Sequence, residues 1–126
     1  MTLDDLLVRA ASMTDQQRDA LGAWAIDAPS SERTMALRAV EDAAKRTGRA
    51  GDQAEAMDRA YRAVAASAGI GNPASYWADD WGPRDRHAWE SAASIAAVVA
   101  AVLVVEDEVD PKMRTFLLEP WDQVMA

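Results

Sequence analysis

Ala92-Ala93-Ser94-Ile95-Ala96-Ala97-Val98-Val99-Ala100-Ala101-Val102-Leu103-Val104-Val105 is the stretch whose reading decides the fold. It carries no charge, and Ser94 is its only polar side chain. As a helix it would be about 21 Å long, short of the roughly 30 Å hydrocarbon core of a bilayer. It is alanine-rich, which weakens membrane insertion and strengthens helix by a few tenths of a kcal/mol per residue over valine. No turn signal interrupts its valines, so a strand is not expected. A helix that is apolar all round must be enclosed by other helices. The stretch therefore predicts an all-α single-domain helical bundle over residues 1–126, with about 5–7 helices around a central apolar helix at about 84–106. Ile95, Val98, Val99, Val102 and Leu103 are its expected core.

Working outward, the C-terminal side gives Asp110-Pro111, a cap followed by proline at the first helical position. Met113, Phe116 and Leu117 would be the apolar face of that helix, and Pro120 is expected to break or kink it before Trp121. The large apolar residues Trp121, Val124 and Met125 are expected to dock, either on the bundle or on a second copy, because a wet terminal segment would waste their burial.

On the N-terminal side, Thr2 can cap a first helix that places Leu3, Leu6, Leu7 and Ala10 on one face. Thr14-Asp-Gln-Gln17 is a capping box. It opens a second helix along Gln17, Leu21, Trp24 and Ala28, ended by Pro29. Ser30 or Ser31 opens a third helix to about Thr47, with Leu37, Val40 and Ala44 buried. Gly48 and Gly51 supply a break, and Asp52 with Glu55 looks like another cap. Met57, Tyr61, Val64 and Ala68 should line the fourth helix, with Gly69 in the left-handed position beyond it. Acid-to-base pairs at i,i+4 are expected at Glu41–Lys45, Asp42–Arg46, Glu55–Arg59 and Asp58–Arg62. Asn72-Pro73 should start a short helix to Trp81, and Gly82-Pro83 restarts the chain into the central one.

Composition removes several chemistries. There is no cysteine, so disulfides, thiol nucleophiles and Cys-ligated zinc are absent. Lys and Arg total 13 against 21 Asp and Glu, a net charge of -8. Such a chain repels a phosphate backbone on average, so direct nucleic-acid binding is not expected. The basic group Arg33, Arg38, Lys45, Arg46 and Arg49 is diluted by Glu32, Glu41 and Asp42. Met-Thr-Leu-Asp-Asp is no secretory signal, and a cytoplasmic protein without a membrane span is expected. There is no Gly-rich phosphate loop, Gly-x-Ser-x-Gly elbow or His-Glu-x-x-His.

Five tryptophans in 126 residues is a high count. Tyr76, Trp77 and Trp81 stand between the fourth helix and the central one, and Trp89 follows inside the latter. They read either as plugs at one end of an alanine-rich core or as a recognition surface. His87 is the only histidine. With Asp85 or Glu90 it resembles a general base and its orienter, yet no nucleophile or oxyanion site accompanies it. Asp79, Asp80, Asp85 and His87 match no metal-ligand spacing. Glu106, Asp107, Glu108 and Asp110 form an acidic cluster where a helix dipole favours cations, so either the helix ends there or a basic partner is near. No catalytic, cofactor or metal residue is assigned. The candidate interaction surface is Tyr76, Trp77, Trp81, His87 and Trp121.

The last third resembles a known group. Leu103-Val104-Val105-Glu106-Asp107, then Phe116-Leu117-Leu118-Glu119-Pro120-Trp121, following the alanine-rich stretch, is similar to small alanine-rich helical proteins of unknown function from actinobacteria and their phages. Those carry Leu-Val-Val-x-Asp and a Gly-Pro-Trp ending; here Glu119 stands in place of the glycine. The match covers roughly residues 92–124. It implies a high-GC bacterial or bacteriophage source and brings no activity. The expected function is a non-enzymatic protein-interaction module, with its partner unnamed and a homodimer among the candidates. The alternatives are an acidic nucleic-acid mimic that occupies a DNA- or RNA-binding protein, and a small enzyme using the His87 region.

Overall fold

In the computed structural model, which describes residues 1–27, 30–70 and 83–125, the fold is an all-α bundle. Its helices are α1 (Leu3–Ala11), α2 (Asp15–Asp27), α3 (Ser30–Arg46), α4 (Ala50–Ser67), α5 (Pro83–Val104) and α6 (Pro111–Met125). A 3-10 turn at Glu106–Glu108 follows α5, and the described residues contain no strand. α5 is the centre, with all five other helices packed on it.

The helix ends follow local hydrogen-bonding chemistry. Thr2 accepts from the Asp5 amide at 3.1 Å while the Asp5 carboxylate accepts from the Thr2 amide at 3.3 Å. Thr14 and Gln17 reciprocate at 3.2 and 3.0 Å ahead of α2. Each box satisfies donors that a helix start leaves open. At α6 the Asp110 carboxylate accepts from the Lys112 amide at 2.8 Å, and Pro111 occupies the first helical position. α4 departs from expectation: it starts at Ala50, without a side-chain cap, so Gly51 and Asp52 lie in its first turn. Asp52 there still complements the positive helix end.

α3 and α4 end in the same way. Gly48 and Gly69 have φ of 70° and 82°. After α3 the Arg49 amide donates to Ala44 at 2.7 Å and the Gly48 amide to Lys45 at 3.3 Å. After α4 the Ile70 amide donates to Ala65 at 2.9 Å and the Gly69 amide to Ala66 at 3.0 Å. Both are Schellman closures, which need a left-handed residue at that point. A Cβ added to Gly69 meets nothing within 4 Å. The cost of Gly69→Ala is therefore backbone strain alone, expected at about 1–2 kcal/mol by urea denaturation. Unchanged stability would show that the closure contributes nothing.

Packing is centred on alanine more than the large residues suggest. Ala92, Ala93, Ala96, Val99, Ala100, Ala101 and Val102 of α5 are fully enclosed. Ile95 is buried, but Val98 and Leu103 are only half-buried, because they lie where α5 is not fully covered. The buried line of α4 is Gln53, Ala56, Ala60, Val64 and Ala65, while Met57, Tyr61 and Ala68 flank it. On α3 it is Ala36, Val40, Ala43 and Ala44, with Leu37 at the side. Small side chains win these central positions because they let helix axes come close.

Two expectations are corrected. Pro120 does not break α6, which continues through it to Met125. A mid-helix proline removes one backbone bond and costs about 3 kcal/mol. Burial of Trp121 (1 % exposed) and Met125 just beyond it supplies a compensating gain. Of the four i,i+4 pairs, Asp58–Arg62 closes at 3.0 Å. Glu41–Lys45, Asp42–Arg46 and Glu55–Arg59 form no ion pair, in keeping with the small net worth of exposed pairs.

Candidate interaction surface

Two buried polar side chains tie distant helices together, and sequence periodicity does not reveal either. Arg18 on α2 donates to the Met13 carbonyl and to the Ser67 hydroxyl at the end of α4, both at 2.8 Å, and pairs with the Asp15 carboxylate. Gln53 on α4 donates from Nε2 to Val40 of α3 at 3.3 Å and to Ala101 of α5 at 3.1 Å. Their polar atoms are used inside the fold and do not assemble a site.

The acidic cluster is also used internally. α5 stops at Val104, and Glu106–Glu108 form a 3-10 turn after it. Arg49, at the α3–α4 junction, donates to the Val104 carbonyl at 2.9 Å and to Asp107 at 3.1 Å, with Glu108 at 3.9 Å. Arg114 donates to the Glu106 carbonyl at 3.1 Å. The helix ends where the carboxylates begin, and a cation covers its negative end, so both physical remedies are present. Arg49 thereby leaves the basic group of α3. Among the described residues no three His, Cys, Asp or Glu side chains are grouped to hold a metal.

Of the aromatic candidates, Tyr76, Trp77 and Trp81 lie outside the described residues, as do Asp79 and Asp80. The backbone of His87 belongs to α5, and its side chain is outside the described set, as is that of Asp85. Trp121 does not belong to an exposed surface: it is among the largest enclosed side chains of the core. Trp89 is buried too, and meets Tyr61 edge-on with ring centres 5.6 Å apart. Beside them Glu90 has one carboxylate oxygen enclosed without a hydrogen bond.

Burial, and secondarily the Glu90 carboxylate, push the Tyr61 phenol above its ordinary value of 10.0. A phenol raised on folding keeps its proton after the unfolded chain has lost it. Full stability is then present below pH 10.0 and falls as pH rises from there towards the folded value. Tyr61→Phe should flatten that alkaline decline in a denaturation series. An equal slope in both proteins would mean Tyr61 is not the group responsible.

One half-open groove of about 660 Å³ lies between α1 and α6, lined by Met1, Asp5, Val8, Arg9, Trp121 and Asp122. Its apolar wall is unusual in being wet. Val8 is 67 % exposed and Met1 is 48 % exposed, and with Met35 on α3 they are the large apolar side chains that remain exposed among the described residues. Arg9 donates to the Met125 carbonyl at 3.0 Å, fastening α6 to α1 and fixing the groove's width. Hydrogen bonds from Thr2 hold the Asp5 carboxyl below its usual range, so it is an anion at neutral pH. Asp122 is exposed and also lines the groove. The Trp121 indole N–H is enclosed and has no hydrogen-bond partner. Sequence reading placed Val8 outside the buried stripe of α1 but gave no sign that α6 would stand beside it.

No protein-family model, curated protein or solved structure matches the chain. No helix among the described residues is long and apolar enough to cross a membrane.

Proposed function

We propose that this chain is a non-enzymatic module that binds another protein. The groove between α1 and α6 carries this reading, because the apolar side chains of Val8 and Met1 line it and stay exposed. Exposed apolar side chains beside a pre-formed concavity are the usual marks of an interaction site. A different protein is favoured over a second copy. The C-terminal residues that would motivate a homodimer, Trp121 and Met125, are already covered by the chain's own core.

Nucleic-acid mimicry has less support, since Asp58, Asp107 and Glu108 are drawn into pairs with arginines. Affinity capture from cells of the source organism separates the readings. Binding of a stoichiometric protein that resists elution by competitor DNA is expected. Release of every captured protein by DNA would favour the mimic, and recovery of no stoichiometric protein would sink the module reading.

A further inference from the structure

We infer that α3 is a hinged cover: it swings off the bundle about Gly48 while the other helices stay folded, and uncovers an apolar patch around Val102, Val105 and Leu117. The enclosed side chains fall into two groups. The larger joins α1, α2, α4, much of α5 and the end of α6, and α3 contributes nothing to it. The buried side chains of α3 are Ala36, Val40, Ala43 and Ala44, and they belong to the smaller group, with Ala101, Val102, Val105, Val109 and Leu117. α3 is also weakly held. α1, α2 and α6 each bury a leucine or a larger side chain, whereas the largest that α3 buries is a valine. Of residues 31–39, Ala36 alone is buried. α3 packs more sparsely on α5 than α2 or α4 does. Elements with few buried apolar contacts open at a free energy below that of global unfolding.

The polar contacts favour a swing about one end. Gln53 reaches the Val40 carbonyl at 3.3 Å, and its bond to the Ala101 carbonyl at 3.1 Å survives when α3 leaves. The α3–α4 junction, by contrast, is pinned, because Arg49 donates to the Val104 carbonyl at 2.9 Å and to Asp107 at 3.1 Å. Between that pin and the body of α3 stands Gly48, with φ 70°. Hinges are element-terminal residues that absorb a large change in φ and ψ, and glycine does so with no Cβ to clash. The open form therefore keeps α4 and α5 in place and wets only what α3 covered.

The first test is hydrogen exchange of the full chain in low urea. The amides of Val40, Ala43 and Ala44 are expected to exchange about a hundredfold faster than those of Val64 and Val99, with a weaker dependence on urea. The second test uses thiols, since the chain has no cysteine of its own. Val99 and Val102 lie about one turn apart on α5 without exposure, Val99 in the larger group and Val102 in the smaller. Under native conditions the thiol of Val102→Cys should be alkylated about a hundredfold faster than that of Val99→Cys. Each rate is first scaled by that variant's global unfolding constant from urea denaturation. Exchange of the α3 amides at the rate and urea dependence of Val64 and Val99 would overturn the proposal. Fast α3 amides with equal thiol rates would overturn it too, showing that α3 frays in place and uncovers nothing.

Discussion

Val99→Asp should leave the domain largely unfolded at 37 °C. Val99 has no exposure and lies in the C-terminal half of α5, inside the larger core cluster. A carboxylate placed there has no cation to meet. It must either remain charged in an apolar interior or take up a proton and bury an unsatisfied acid, and each route costs several kcal/mol. Typical domain stability is about 5–15 kcal/mol, so a loss of that size removes much of it. Val99→Ala separates charge from cavity, with an expected cost of about 2 kcal/mol. Both are read by urea denaturation. A melting temperature near wild type for the aspartate variant would remove α5 from the centre of the fold.

Trp121→Ala should be the next most damaging, at about 3–5 kcal/mol. Trp121 is 1 % exposed and belongs to the larger core cluster with Leu6, Leu21 and Val99. Its loss also unfastens the end of α6, where Met125 is buried and Arg9 holds the final turn. Trp121→Phe should cost much less, because it keeps most of the ring and discards a donor that has no partner. Removal of residues 121–126 should resemble the alanine variant. An unchanged melting temperature after that truncation would show that the segment does not dock.

The legible part of this fold was the part written locally. Thr2, Thr14, Asp110-Pro111, Gly48 and Gly69 each act within a few residues, on backbone groups that any helix end leaves open. The Ala92–Val105 stretch was legible because an uncharged run favours burial, although Ser94, Val98 and Leu103 keep a partly wet side. What escaped depends on partners far along the chain. Arg18 meets Ser67, Gln53 meets Ala101, and Arg49 meets Asp107, and no periodicity links such positions. Pro120 misled for a related reason: its local penalty was visible, whereas the core waiting for Trp121 was not. The groove was hidden likewise, since α1 and α6 lie at opposite ends of the sequence.

Alanine faces are smooth. Ala56 and Ala60 of α4, and Ala92, Ala93, Ala96 and Ala100 of α5, belong to one enclosed core and offer no tall side chain to lock one rod against another. Rods of that kind can slide or roll by a fraction of a turn with little change in buried area. Gln53 acts as the stop: its single amide nitrogen is satisfied only when α3 and α5 both present their carbonyls at one height. Gln53→Leu should cost about 1–3 kcal/mol, since it takes the side-chain donor from two buried carbonyls. It should also broaden the methyl resonances of Val40 and Val102, as the bundle samples several neighbouring alignments. Sharp, unshifted methyl signals in that variant would mean that shape alone sets the alignment.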